Sequence, residues 1–192
     1  MAKTKRYNVQ YRRKRQGKTN YKKRLKLLLA EKPRLVIRVF LKNTYAQIVE
    51  YVPEGDNIVA SATSRDLEKL GWKHNKGNVP AAYLTGLLAG KKAVEAGVKE
   101  VILDLGLRSP SKGSRIYACL KGVVDAGLEV AHSEEIFPDE SRIKGEHIAK
   151  YKKDSADITK SFEEIKNKIK VKPTKLVPDS EEKKIDDDGG RA

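Results

Sequence analysis

The chain has 192 residues, with 41 Lys and Arg against 26 Asp and Glu, a net charge of +15. That length suits one domain of ordinary size plus tails, and no run of ~18 apolar residues is present to cross a bilayer as a helix. A single cysteine, Cys119, excludes a disulfide framework and a structural zinc site and fits a reducing, cytosolic compartment.

The charge is concentrated at the N-terminus. Lys3, Lys5, Arg6, Arg12, Arg13, Lys14, Arg15, Lys18, Lys22, Lys23, Arg24 and Lys26 precede the first acid, Glu31, whereas residues 31–192 hold 29 bases and 26 acids. A block of like charges repels itself and reads as a solvated tail or an interaction arm. With no acid in the block, the arm is favoured, and its natural partner is a polyanion whose condensed counterions are released on binding. There is no apolar stretch behind these charges, so the segment does not read as a secretory signal, nor has it the wide apolar face of a membrane-surface helix. Tyr7, Tyr11 and Tyr21 are interleaved with the bases. Their rings could stack on unpaired bases, which RNA loops offer more readily than duplex DNA; alternatively Tyr21 packs on the core and the other two anchor the arm. With so little apolar surface the arm is expected to be disordered until its partner arrives.

A helix is expected from Thr19 or Asn20, with Leu25, Leu28 and Leu29 as an apolar stripe, ending before Pro33. Alternating apolar residues then mark strands at 35–41 and 45–52 and a shorter one at 58–62, joined by turns at Lys42-Asn43-Thr44 and Pro53-Glu54-Gly55-Asp56. At Asn78-Val79-Pro80 the period changes to helical as far as about Ala96, with Ala82, Gly86, Gly90 and Gly97 near one face and able to let the helix approach a sheet closely. Val101-Ile102-Leu103 reads as a strand buried on both faces. A helix from Ser114 to Ala126 follows, in which Cys119 is a small buried hydrophobe. Residues 140–151 suggest another helix. Ile158, Phe162, Ile165 and Ile169 form an amphipathic stripe that must dock on this domain or on a partner. The order implies an α/β fold whose mixed sheet combines a three-strand meander with one parallel strand. It divides into a basic arm at 1–18, an α/β core at 19–133, a helical C-terminal extension at 134–177 and an acidic, disordered tail at 178–192.

Such a topology gathers loops at one end. In a meander the 42–44 tip and the exit of the third strand share an end, and a fourth strand reached by a helical crossover exits there too. Lys42, Asn43, Arg65, Arg108, Lys112 and Arg115 would then converge, with Glu54 and Asp56 at the opposite end. The 111–114 segment leads into a helix N-terminus, where Ser114 and free backbone N–H groups favour a phosphate; read alone, Ser114 is an ordinary cap. No catalytic constellation is evident. The 106–114 loop lacks the Gly-Lys-Ser/Thr of a phosphate-binding nucleotide loop. His74, His132 and His147 are scattered, and Asp104 has no second strand acid to share a metal. Neither a cofactor, a metal nor a small-molecule substrate is expected.

Seven segments carry a family resemblance: RYNVQYRRKRQGKTNYKKRLKLL, KPRLVIRVFLKNTYAQIV, SATSRDLEKLGW, GNVPAAYLTGLLAG, VILDLGL, GSRIYACLKGVVDAGLEVAHS and RIKGEHIAKY, spread over residues 6–151. The chain resembles the large-subunit ribosomal proteins numbered eighteen in bacteria and archaea and five in eukaryotes, and its size is similar to the archaeal form. The resemblance implies a non-catalytic cytoplasmic ribosomal protein that binds 5S rRNA and attaches it to 23S rRNA in the central protuberance, beside the other 5S-binding protein, numbered five in bacteria. It also implies that the N-terminal arm and the hairpin Lys42, Asn43, Thr44 and Tyr45 face RNA. Contacts beyond Lys152 do not carry over.

Overall fold

The computed structural model describes residues 8–109, 111–152 and 155–171. The strands are β1 (Arg34–Val39), β2 (Thr44–Val52), β3 (Gly55–Thr63), β4 (Glu100–Asp104) and β5 (Glu129–Val130). The helices are α1 (Arg12–Arg15), α2 (Tyr21–Leu28), α3 (Asp66–Lys69), α4 (Val79–Glu95), α5 (Arg115–Asp125), α6 (Glu140–Lys144), α7 (Glu146–Tyr151) and α8 (Ile158–Val171). One mixed sheet runs β3-β2-β1-β4-β5. The meander is antiparallel, and β4 returns through α4 to lie parallel to β1, with Leu35 opposite Leu103. β5 adds a fifth, parallel strand to the four expected. Two residues are too few to show a period, so it is legible only once β4 offers an edge.

Strand alternation closes one face of the sheet. Leu35, Ile37, Val39, Ala46, Ile48, Ala60 and Ala62 point to α4 and α5 and are buried in a single core. Asn78 caps α4 by accepting from the Ala81 N–H at 2.9 Å, and Pro80 occupies the first turn, where its missing N–H costs nothing. The small residues of α4 serve a different neighbour from the one expected. A Cβ on Gly86 would overlap the Cys119 carbonyl, and one on Gly122 would overlap the Tyr83 carbonyl, so these glycines bring α4 against α5 rather than against the sheet. Cys119 is fully buried there, and loss of solvent pushes its thiol up to about 12, so it packs as an inert hydrophobe.

The C-terminal stripe docks within the molecule. Ile158, Phe162, Ile165 and Ile169 of α8 are buried in the same core, with the Phe162 ring 5.5 Å from that of Tyr83 on α4. α4 is thus sandwiched between sheet and α8, which explains why residues 79–90 are buried all round. The helix expected at 140–151 is broken into α6 and α7 at Gly145 (φ +84°), where a Cβ would press within 3.0 Å of Pro80. The acidic 178–192 tail lies outside the described residues.

Candidate nucleic-acid interface

The convergence of loops at one end of the sheet is present. The Thr44 N–H donates to Ser64 Oγ at 3.1 Å and the Ser64 N–H to the Thr44 carbonyl at 2.9 Å, placing the β1–β2 tip beside the β3 exit. Arg115, at the start of α5, donates to the carbonyls of Gly77 at 2.7 Å and Phe40 at 3.2 Å, tying a third segment to that tip. Lys42 and Arg65 are exposed there. Beside them Phe40 is 56% and Leu41 86% exposed, and the Phe40 ring meets Tyr45 edge-on at 5.4 Å. The end is therefore apolar and aromatic as well as cationic, which charge counting alone did not indicate.

Not every expected residue is free for a phosphate. Arg115 is committed to two backbone carbonyls and is a tie between loops. Lys112 pairs with Glu135 at 2.9 Å, in an exposed contact that a polyanion can displace. Ser114 caps α5 by conformation only: its Oγ is shielded from solvent and has no hydrogen-bond partner among the described residues. Asn43 Oδ1 and Thr44 Oγ1 are likewise shielded and without a partner among the described residues, so both residues shape the turn more than they present polar atoms.

The second face of the sheet carries a feature the sequence reading missed. Opposite the apolar row of β1 stand Arg34, Val36 and Arg38, and across this face a cleft of about 780 Å³ opens beneath α1 and α2. Arg13, Lys18, Lys23, Lys26 and Arg108 line its margin. Its floor is an ion ladder. Arg24 on α2 grips both oxygens of Asp56 at 2.8 and 2.9 Å, and Arg34 Nη2 lies 2.9 Å from Asp56 Oδ2. Arg34 Nη1 then donates to Asp104 Oδ2 at 3.1 Å, and Arg38 Nη2 approaches Asp104 Oδ1 at 3.3 Å. Arg34 is only 3% exposed, so its charge depends on these two carboxylates. Burial would raise the Asp56 carboxyl, but hydrogen bonds and charge from Arg24 and Arg34 outweigh it and hold the group below the usual carboxylate range. Asp104 Oδ1 also accepts from the Gly106 N–H at 2.7 Å, so both its oxygens are occupied by donors, not poised for a metal. Asp56 does sit at the expected opposite end, but tied to Arg24 and Arg34 rather than apart from the cationic groups.

The arm lies along this face as far as it is described. Lys3, Lys5, Arg6 and Tyr7 fall outside the described residues. Arg12, Arg13, Lys14 and Arg15 form the single turn of α1, all exposed, and Arg13 Nε donates to Thr19 at 2.9 Å. Tyr11 packs on Tyr21 with ring centres 5.1 Å apart yet stays 72% exposed, so one aromatic surface remains available. α2 begins as expected, with Asn20 accepting from the Lys23 N–H at 3.2 Å. Its apolar stripe is only partly covered, however: Leu25 and Leu29 are exposed and Leu28 is half-buried, while Arg24 reaches the sheet through Asp56. The strand alternation of Arg34 and Arg38 opposite an apolar row was the available signal for this face. Among the described residues no group of three or more His, Cys, Asp or Glu is arranged to hold a metal.

Comparison with known proteins agrees with a ribosomal role. The family described as "Ribosomal large subunit proteins 60S L5, and 50S L18" matches residues 5–99 and 94–133. A protein of Natronomonas pharaonis, large ribosomal subunit protein uL18, is 47% identical over 180 residues, covering 88% of this chain and 98% of the relative. The chain belongs to this family of large-subunit ribosomal proteins, of the archaeal type, and is a structural, non-enzymatic protein.

Proposed function

We propose that the chain binds 5S rRNA and attaches it to 23S rRNA in the central protuberance of the cytoplasmic large subunit, next to the 5S-binding protein numbered five in bacteria. The observation that carries this reading is the cleft on the open sheet face, lined by Arg13, Lys18, Lys23, Lys26 and Arg108 and continuous with the basic arm. A surface of this kind neutralises phosphates, and the accompanying aromatic groups, Tyr11 in the arm and Phe40 and Tyr45 at the hairpin, suit the splayed bases of folded RNA. The residues assigned to the interface are those of the arm from Lys3 to Lys18, together with Lys42, Tyr45, Arg65, Arg108 and Lys112; Arg24, expected among them, is committed to Asp56. Asn43, Thr44, Ser114 and Arg115 shape the same end.

The test is binding of the full chain to a 5S rRNA transcript as salt is varied, with duplex DNA as competitor. If about six arm charges meet phosphates, log affinity falls against log salt with a slope of roughly −4 to −5, and deleting residues 1–18 flattens it. Equal binding of duplex DNA and 5S rRNA, or a slope unchanged by the deletion, refutes the reading.

A further inference from the structure

An acidic side chain on a surface built for phosphate should weaken binding, since it repels the ligand. Asp56 stands at such a surface, and its surroundings indicate the opposite effect. Helix α2 carries Lys23 and Lys26 along the cleft yet contains no fully buried residue, only the half-buried Leu27 and Leu28 on its apolar side, so little apolar packing fixes it to the sheet. Its polar tie among the described residues is the two-pronged contact from Arg24 to Asp56, thirty-two positions apart in sequence. An isolated pair as exposed as this would contribute little, because water competes for both partners. Asp56, however, also faces Arg34, which is almost fully buried and braced from behind by Asp104. A buried guanidinium requires its counter-charge, so the carboxylate is held in place by the core and Arg24 closes on a fixed anchor.

We infer that Asp56 is a positioning residue of the RNA interface: through Arg24 it holds α2 over the open face of the sheet, so that the cations of that helix are presented together. The inference rests on the RNA-binding reading above. Asp56 adds a negative charge and still raises affinity, because an ordered set of cations pays no ordering cost when the ligand arrives.

The experiment compares Asp56→Asn with Glu54→Gln, which removes one negative charge from the same hairpin without touching the ladder. Affinity of the full chain for a 5S rRNA transcript is measured against salt, and amide exchange is followed over residues 21–28. Glu54→Gln should bind as tightly as the parent or slightly tighter. Asp56→Asn should bind about tenfold more weakly with a shallower salt slope. It should also exchange faster over 21–28 while β1 and α4 keep their protection, and Asp56→Glu should recover most of the loss. Should Asp56→Asn fail to fold, Arg24→Gln and Lys23→Gln supply the same comparison. Each removes one cation from a helix with no fully buried residue, and only Arg24→Gln should free α2 and lose markedly more affinity. Asp56→Asn binding as tightly as Glu54→Gln with α2 still protected, or equal losses in the two helix variants, overturns the inference. A parent chain that shows no salt-dependent binding overturns the RNA reading itself, a separate result.

Discussion

The two faces of the central sheet are made by the same strands and solve opposite problems. On β1, Leu35, Ile37 and Val39 point into the core, while Arg34, Val36 and Arg38 point the other way. The closed face is held by close packing, down to glycines that let two helix backbones meet. The open face is held by charge, with two carboxylates spaced among three arginines. This chain's positive charge is therefore of two kinds. Arginines of the ladder are structural and already neutralised, whereas Lys18, Lys23, Lys26 and Arg108 at the margin are exposed for a ligand. A net charge counts both alike.

The largest losses are expected on the closed side. Gly86→Val would drive a branched side chain into the Cys119 carbonyl, and neither backbone can move without parting α4 from α5. We expect a loss of about 4 kcal/mol or more, enough to unfold a marginal domain, read as denaturation midpoint. On the open side Arg34→Ala strands Asp56 and Asp104 without their shared cation and should cost about 3 kcal/mol. Arg34→Lys should recover only part, since an ammonium cannot fork to both carboxylates. Loss from Gly86→Val with none from Arg34→Ala would mean that the ladder is decorative.

A smaller effect sharpens the contrast by pH. The Asp56 carboxyl lies below its ordinary value in the folded chain, so its pairing stabilises fully above the usual carboxylate range. That contribution fades as pH falls through the depressed folded value, that is below about pH 4. The gap in melting temperature between the parent and Asp56→Asn should therefore be constant near neutrality and close in acid. A gap that widens in acid would reverse the assigned sign.

The closed face was largely legible in the sequence, because burial writes a period. Alternation over 35–39 and 44–49 and the 158–169 stripe lead straight to the core. What periodicity could not show was partner choice. Gly86 and Gly90 announce a close approach, but only the assembled fold shows that α5, not the sheet, makes it. The open face was harder, since a strand arginine on the side away from the core resembles any solvated residue until Asp56 and Asp104, far off in sequence, arrive beside it. α2 misled for a related reason: its leucines suggested close packing, yet none is fully buried and Arg24 reaches the sheet through a distant carboxylate instead. The one-ended gathering of loops was legible because it follows from strand direction alone, whereas the commitment of Arg115 to carbonyls depends on side-chain geometry.

In the proposed interface the marginal cations, not the ladder, meet RNA phosphates. The most direct test is the salt dependence of 5S rRNA binding by the triple variant Lys18→Gln, Lys23→Gln, Lys26→Gln, which leaves the ladder intact. The slope of log affinity against log salt should become shallower by about 2 to 3, with folding stability unchanged. A line parallel to that of the parent chain would contradict the claim and place the RNA elsewhere on the molecule.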